Sequence, residues 1–298
     1  MNSIEVLMPW LRIGLVISVF ISISNAEAKN YLASPHQSQW QLVVDTPLEC
    51  RLEHAIPAYG TAQFSARSSK KMNLHFELKM QRQLGATRNV KLTSMPPSWM
   101  PGDAAHAMVD LKFFKQFDGY IEGNTAWQML AELEDGRNPT FSYKSWPAQR
   151  QRQLDVGLSA VNFNKSYQLF SQCLNNLMPF SFDDIAFTIL HYNNDSDELN
   201  NMSQQRLAQI ADYVRYSDDI DLVLVAAYSD SALGTAAGQR LSEQRAAKIE
   251  DYFRGLGLPD DRIQVEAHGK RRPIADNSTP VGRHQNRRVV ISLGRSQI

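Results

Sequence analysis

Apolar and polar positions alternate with a period of two in several short stretches of the first half of the chain, the spacing of half-buried strands. The stretches are QLVVD, NLHFELK with Leu74, Phe76 and Leu78 on one face, NVKLTS with Val90 and Leu92, MVDLKFF and TFSYKSW. Turn-forming runs such as MPPSWMPGD and EDGRNP divide them. The period lengthens near residues 126–133, which predicts a helix. It lengthens again after NFN, where Tyr167, Phe170, Leu174 and Leu177 recur at three- and four-residue steps.

The second half reads differently. A strand candidate, IAFTIL, precedes a predicted helix over 202–216 with Leu207, Ile210, Ala211 and Val214 on one face. DIDLVLVAAYSD is apolar without alternation, as in a strand buried on both faces. A helix over 236–254 follows and ends at GLGLP, where glycine can cap and Pro259 stops continuation. RIQVEAHG and RRVVISL supply two more strands. The expected class is α+β: a β-rich region built from an antiparallel sheet plus helices over 29–180, then a β-α-β-α-β-β sandwich with a mixed sheet over 181–298. A chain of 298 residues suits two domains at about 100 to 200 residues each.

Residues 1–28 are expected to be a cleaved leader. Arg12 precedes the apolar run IGLVISVFISIS, too short for a membrane-spanning helix of about 20 residues, and Ala26-Glu27-Ala28 matches a cleavage pattern. An uncleaved anchor is the alternative, and no cysteine stands near the cut to receive a lipid. Export bears on the two cysteines, Cys50 and Cys173, which lack zinc or redox spacing. One long-range disulfide in an oxidising compartment is the expected reading, with two separate buried thiols as the alternative.

The aromatics Trp99, Trp127, Trp146, Phe113, Phe114 and Phe117 are expected to pack in the core rather than form a partner surface. An outer-membrane barrel needs eight or more segments of about ten alternating residues, and two clear ones are present. There is no G-x-S-x-G, H-E-x-x-H, P-loop or dinucleotide fingerprint, so no catalytic residues and no cofactor are assigned. The seven histidines are scattered; His54 and His75 are expected to be solvated or core positions rather than metal ligands. The basic strings HGKRRP and RHQNRR do not imply nucleic acid in an exported chain.

Four ordered motifs fall in the last 70 residues or so: Ser229-Asp230, Leu241-Ser242 through Arg245-Ala246, Gly269 with Pro273, and Asn286-Arg287-Arg288-Val289. In these the chain resembles the peptidoglycan-binding domain of the OmpA family, found also in peptidoglycan-associated lipoproteins and flagellar stator B-subunits; Gln239-Arg240 stands where relatives often carry Tyr-Asn. The free end of diaminopimelate in a peptidoglycan stem peptide bears an ammonium and a carboxylate. Reading it needs one acid and one base, and the planar fork of arginine suits a carboxylate. The resemblance implies Asp230 for the ammonium and Arg245 for the carboxylate, with Ser229, Asn286 and Arg287 as further contacts. A structural Asp–Arg ion pair is the alternative.

The leader, the β-rich region closed by a helix, the cysteines bracketing it and the string PLECRLEHAIPAYGTAQFS together resemble the MotY family, periplasmic proteins of sodium-driven polar flagella. That resemblance implies a ring around the flagellar basal body, shared with MotX, that retains PomA/PomB-type stator units. The alternatives are a general OmpA-like wall tether of the outer membrane or periplasm unrelated to motility, and a cell-wall hydrolase, for which residues 29–179 offer no catalytic set.

Charge adds a polarity that the total conceals. Lysine and arginine balance aspartate and glutamate at 31 each. Residues 29–180 carry net +4, residues 181–230 net −8 and residues 231–298 net +5. Asp230 and Arg245 fall on opposite sides of the last division.

Overall fold

The computed structural model describes residues 28–145, 152–193, 196, 198–232 and 234–296. The leader up to residue 27 and Trp146 lie outside the described residues. Ten strands occupy the first half: β1 (Lys29–Tyr31), β2 (Trp40–Asp45), β3 (Glu49–Ile56), β4 (Gly60–Arg67), β5 (His75–Met80), β6 (Arg88–Met95), β7 (His106–Phe113), β8 (Gly119–Glu122), β9 (Asn138–Lys144) and β10 (Gln153–Gly157). They form two five-stranded sheets, in the orders β2-β3-β4-β5-β8 and β1-β10-β9-β6-β7. Pairing is antiparallel except between β1 and β10.

The sequence reading passed over the short strands β1, β8 and β10 and the two longer strands β3 and β4. In β3 the buried row is Cys50, Leu52, His54 and Ile56, so a histidine occupies a core position and breaks the apolar alternation. His54 is stacked on Trp40 at 4.5 Å and its Nδ1 faces the Gln39 carbonyl at 2.9 Å. Burial holds its pKa below the ordinary value against the raising effect of that carbonyl. In β4, Ala62 through Ala66 are all buried, and small or polar side chains hide a central strand from a hydrophobicity reading.

The core between the sheets is aromatic, with Phe76 of β5 stacked 5.6 Å from Phe141 of β9. Helix α1 (Asn124–Glu134) contributes Ala126, Met129, Leu130 and Leu133. Helix α2 (Phe163–Asn176) closes the unit through Phe163, Phe170, Cys173 and Leu174. Cys173 is disulfide-bonded to Cys50 of β3 across 123 positions, with the Cα atoms 5.9 Å apart.

The aromatic expectation is corrected in part. Phe113 is buried and Trp127 packs partly buried against the core, but Trp99, Phe114 and Phe117 are 53%, 57% and 69% exposed. The latter three lie in the turn segments flanking β7, where no second layer covers them.

A second core forms from residues 180–293. Short helix α3 (Phe182–Ile185) leads into β11 (Phe187–His191), then α4 (Asn201–Tyr216), β12 (Ile220–Tyr228), α5 (Thr235–Gly255), β13 (Ile263–Gly269), α6 (Pro280–Asn286) and β14 (Arg288–Arg295). The sheet order is β11-β14-β12-β13; β12 and β13 are parallel and the other pairs antiparallel, so the sheet is mixed. Helix α4 buries the apolar stripe read from the sequence, α5 buries Ala246, Ile249 and Phe253, and Asn200 caps α4 by accepting from the Ser203 N–H at 2.9 Å.

The two halves touch where α2 hands over to α3. The Met178 N–H donates to the Pro47 carbonyl at 2.9 Å, and Leu48 packs against the second core. Lys70 pairs with Asp184; this ammonium, helped by Ser181, holds the Asp184 carboxyl down at about 2. No helix among the described residues is long and apolar enough to cross a membrane.

Candidate functional site

Strand β12 ends at Tyr228, and the next two residues turn inward at the carboxyl end of the sheet, the position where ligand sites gather in α/β folds. Ser229 and Asp230 are both 4% exposed. The Ser229 N–H donates to the Gly269 carbonyl at 2.8 Å. The Ser242 hydroxyl accepts from the Gly269 N–H at 3.0 Å and donates to the Gln239 carbonyl at 2.8 Å. Helix α5 is thereby fastened to the ends of β12 and β13. Its close approach depends on Gly238, where a Cβ would stand 2.7 Å from Ser229 Oγ.

Asp230 is held from two sides. One oxygen accepts from the Ala232 N–H at 3.0 Å, and the other receives Arg287 Nη1 at 2.8 Å. Arg245 is 1% exposed, lies with its guanidinium 3.9 Å above the Tyr192 ring, and donates Nη2 to the Ser196 carbonyl at 2.8 Å. The backbone groups and the aromatic face replace the water that burial removes from this cation.

Asn286, expected as a further contact, is hydrogen-bonded within the protein. Its Oδ1 accepts from the Ile274 and Ala275 N–H groups at 2.8 and 3.1 Å, and its Nδ2 donates to the Ala275 carbonyl at 2.8 Å and to Asn277 Oδ1 at 2.9 Å. It pins the loop before α6 and so sets where Arg287 begins. The hydroxyl of Ser229 makes no hydrogen bond among the described residues and lies against α5.

Residues that the sequence reading missed complete the site. Tyr192, Asn193, Asn200, Arg283, His284 and Arg287 line an open cleft of about 580 Å³. Tyr192 follows the carboxyl end of β11, so the strand-end rule that selected Asp230 pointed here as well. Arg288 is 5% exposed, lies 3.9 Å over the Tyr228 ring, and has its pKa lowered by burial. His191 stacks on His284 at 5.3 Å; burial and then the neighbouring imidazole lower its pKa.

Of the buried guanidinium groups at this end of the sheet, Arg287 pairs with the buried Asp230 and lines the cleft, Arg245 lies on the cleft residue Tyr192, and Arg288 lies over Tyr228. The excess is positive, and a ligand bearing a carboxylate beside an ammonium answers it better than a neutral one. Among the described residues no group of three metal-ligating side chains occurs; His75 instead bonds Ser65 at 2.9 Å.

Known proteins align with both halves. The family model described as "MotY N-terminal domain" matches residues 31–179, and that described as "OmpA family" matches residues 191–287. The Sodium-type flagellar protein MotY of Vibrio parahaemolyticus serotype O3:K6 (strain RIMD 2210633) is 59% identical over 96% of this chain and 97% of its own length. The Outer-membrane lipoprotein YfiB of Pseudomonas aeruginosa is 38% identical over 34% of this chain and 59% of its own. Outer membrane protein A of Bordetella avium is 36% identical over 33% of this chain and 50% of its own. Identity that extends across both halves at nearly full length distinguishes the first of these from the OmpA-type relatives: the chain belongs to the MotY family.

Proposed function

We propose that this flagellar motor component holds peptidoglycan through the cleft beside Asp230 and Arg245, and thereby acts as a stationary clamp rather than a catalyst. The division of labour is residues 29–180 for docking on the motor and residues 181–298 for the wall. Diaminopimelate of the stem peptide is the ligand, with Asp230 taking its ammonium and Arg245 its carboxylate, while Arg287 orients Asp230. The observation that carries this reading is the burial of Asp230 and Arg245, at 4% and 1% exposure, beside an open cleft at the carboxyl ends of the strands.

In the periplasm the docking half joins MotX at the basal body, and the assembled ring retains PomA/PomB-type stator units of a sodium-driven motor. Two charge-assisted contacts at about 1.5–3 kcal/mol each fall short of the roughly 8 kcal/mol of a micromolar complex. One copy therefore grips weakly, and a ring of copies grips firmly through effective concentration.

Co-sedimentation with purified sacculi tests the cleft: Asp230→Ala and Arg245→Ala each lower the bound fraction, and unchanged binding in both refutes the assignment. Gene deletion tests the role. The expected strain builds flagella and does not swim; normal swimming overturns the clamp.

A further inference from the structure

A second cavity, of about 700 Å³, lies in the first half of the chain and is lined by β1, β9 and β10 of one sheet and by the β3–β4 turn and the loop after β5 of the other. Its charged lining residues are all cations: Lys29 on β1, Arg82 in the loop after β5, and Arg152 just before β10. None of the three makes a salt bridge among the described residues. Asp118, whose charge reaches Tyr59, is not part of the lining, and one of its oxygens takes the Met80 N–H at 2.9 Å.

The inner wall is phenolic. Tyr31 packs 5.2 Å from Tyr59, and the hydroxyls of Tyr59 and Tyr143 are 2.8 Å apart. Two hydroxyls carry two protons, and the bond between them uses one. No other described group accepts the second, so the wall presents a spare donor. Burial raises the pKa of both phenols, which keeps that proton in place at neutral pH. Cations at the mouth and an O–H on the wall make a site that favours acceptors of negative charge.

The form of the ligand follows from the neighbouring backbone. Strand β1 pairs with β10 alone, in the register Lys29↔Leu154 and Tyr31↔Val156, and its other edge carries no strand among the described residues. A free edge can receive an extended segment through main-chain hydrogen bonds, with alternate side chains entering a pocket beside it.

We propose that this cavity binds an acidic segment of a partner protein, laid as an added strand along the free edge of β1 with its carboxylates among Lys29, Arg82 and Arg152. The site is separate from the wall cleft and does not depend on the reading given to that cleft.

The test uses the full chain and a labelled, end-capped peptide that alternates glutamate with valine, followed by fluorescence anisotropy. Saturable binding is expected. It weakens by about tenfold or more for the same peptide with glutamine in place of glutamate, and equally in the double variant Arg82→Gln, Arg152→Gln. Both arginines are exposed, so the variant retains its fold. N-methylation of the valines, which removes alternate main-chain donors, is expected to abolish binding. Absence of saturable binding overturns the proposal, as does equal affinity for the glutamine peptide, for the N-methylated peptide or in the double variant. Competition by free glutamate at the peptide's own potency makes the cavity a small-anion pocket and overturns it too. Co-sedimentation with sacculi is expected to be unchanged in the double variant; a loss there identifies the cavity as a wall contact instead.

Discussion

Both halves of the molecule bury charged and polar groups, but they place them differently. In the first half Arg137, 8% exposed, donates to Ser94 Oγ at 2.7 Å and to the Ala104 carbonyl at 2.8 Å, and pairs with Glu132 of α1 at 3.2 Å. Its partners lie on a strand, a loop and a helix of the same unit, so the charge works as an internal staple. In the second half the buried Asp230 and Arg245 stand behind the residues that line a cleft, Asp230 paired with Arg287 and Arg245 lying on Tyr192. Buried charge scattered through a core holds that core together. Buried charge collected beside an opening points to a ligand. In the first half Trp99, Phe114 and Phe117 stand exposed on the surface.

Stability and binding measurements can separate the two patterns. The largest effect is expected in the first half: Cys50→Ser with Cys173→Ser removes the cross-link over a long loop and lowers stability by about 2–5 kcal/mol in urea titrations. A midpoint equal to that of the parent would show that the sheets do not need the staple.

Gly238→Ala comes next. Its added methyl meets Ser229 Oγ, displaces α5 from the end of β12, and is expected to cost about 1–3 kcal/mol together with part of the affinity for sacculi. If stability falls while wall binding stays intact, the site does not depend on this packing.

Arg245→Lys keeps the charge but gives up the flat stack on Tyr192, and sacculus binding should drop about tenfold, or roughly 1.4 kcal/mol. Full binding by the lysine variant would mean that charge alone suffices.

Acid distinguishes the halves less sharply, because each contains a histidine with a lowered pKa: His54 in the first and His191 in the second. For both, the unfolded chain binds the proton more readily near the ordinary value of about 6.5. Stability is therefore complete above that pH and declines as pH falls from there toward the lower folded values. His54→Gln should flatten this decline for the first half, measured by near-ultraviolet circular dichroism, and an unaltered pH profile would exclude His54 as its source. The smallest effect belongs to Phe114→Ala with Phe117→Ala, which should change stability by no more than about 0.5 kcal/mol each because neither ring is packed.

Legibility in the sequence followed the same division. In the second half each strand and long helix was readable, because continuous apolar runs and three-to-four spacing report burial directly; the short helices α3 and α6 were not. In the first half β3 and β4 escaped because polar side chains occupy buried positions: His54 and Ser65 are accepted there by stacking and hydrogen bonds that a one-dimensional pattern does not show. The aromatics of the β7 flanks misled for the opposite reason. Hydrophobicity predicts that a phenylalanine gains from burial, but not whether a second layer exists to bury it.

The sequence by itself determined the alternation that makes one half strands, the helical stripe and continuous strand that make the other an α/β sandwich, and the family, and it singled out Asp230 and Arg245. Tertiary structure alone decided what surrounds them. It set Arg287 against Asp230, Tyr192 under Arg245 and Asn286 into its loop, and it brought together the Cys50–Cys173 pair that the sequence led one to expect. Residue type and local spacing fix which conformations and charges are available. Which of them meet depends on contacts between positions up to 123 residues apart, and those exist only once the sheets have closed.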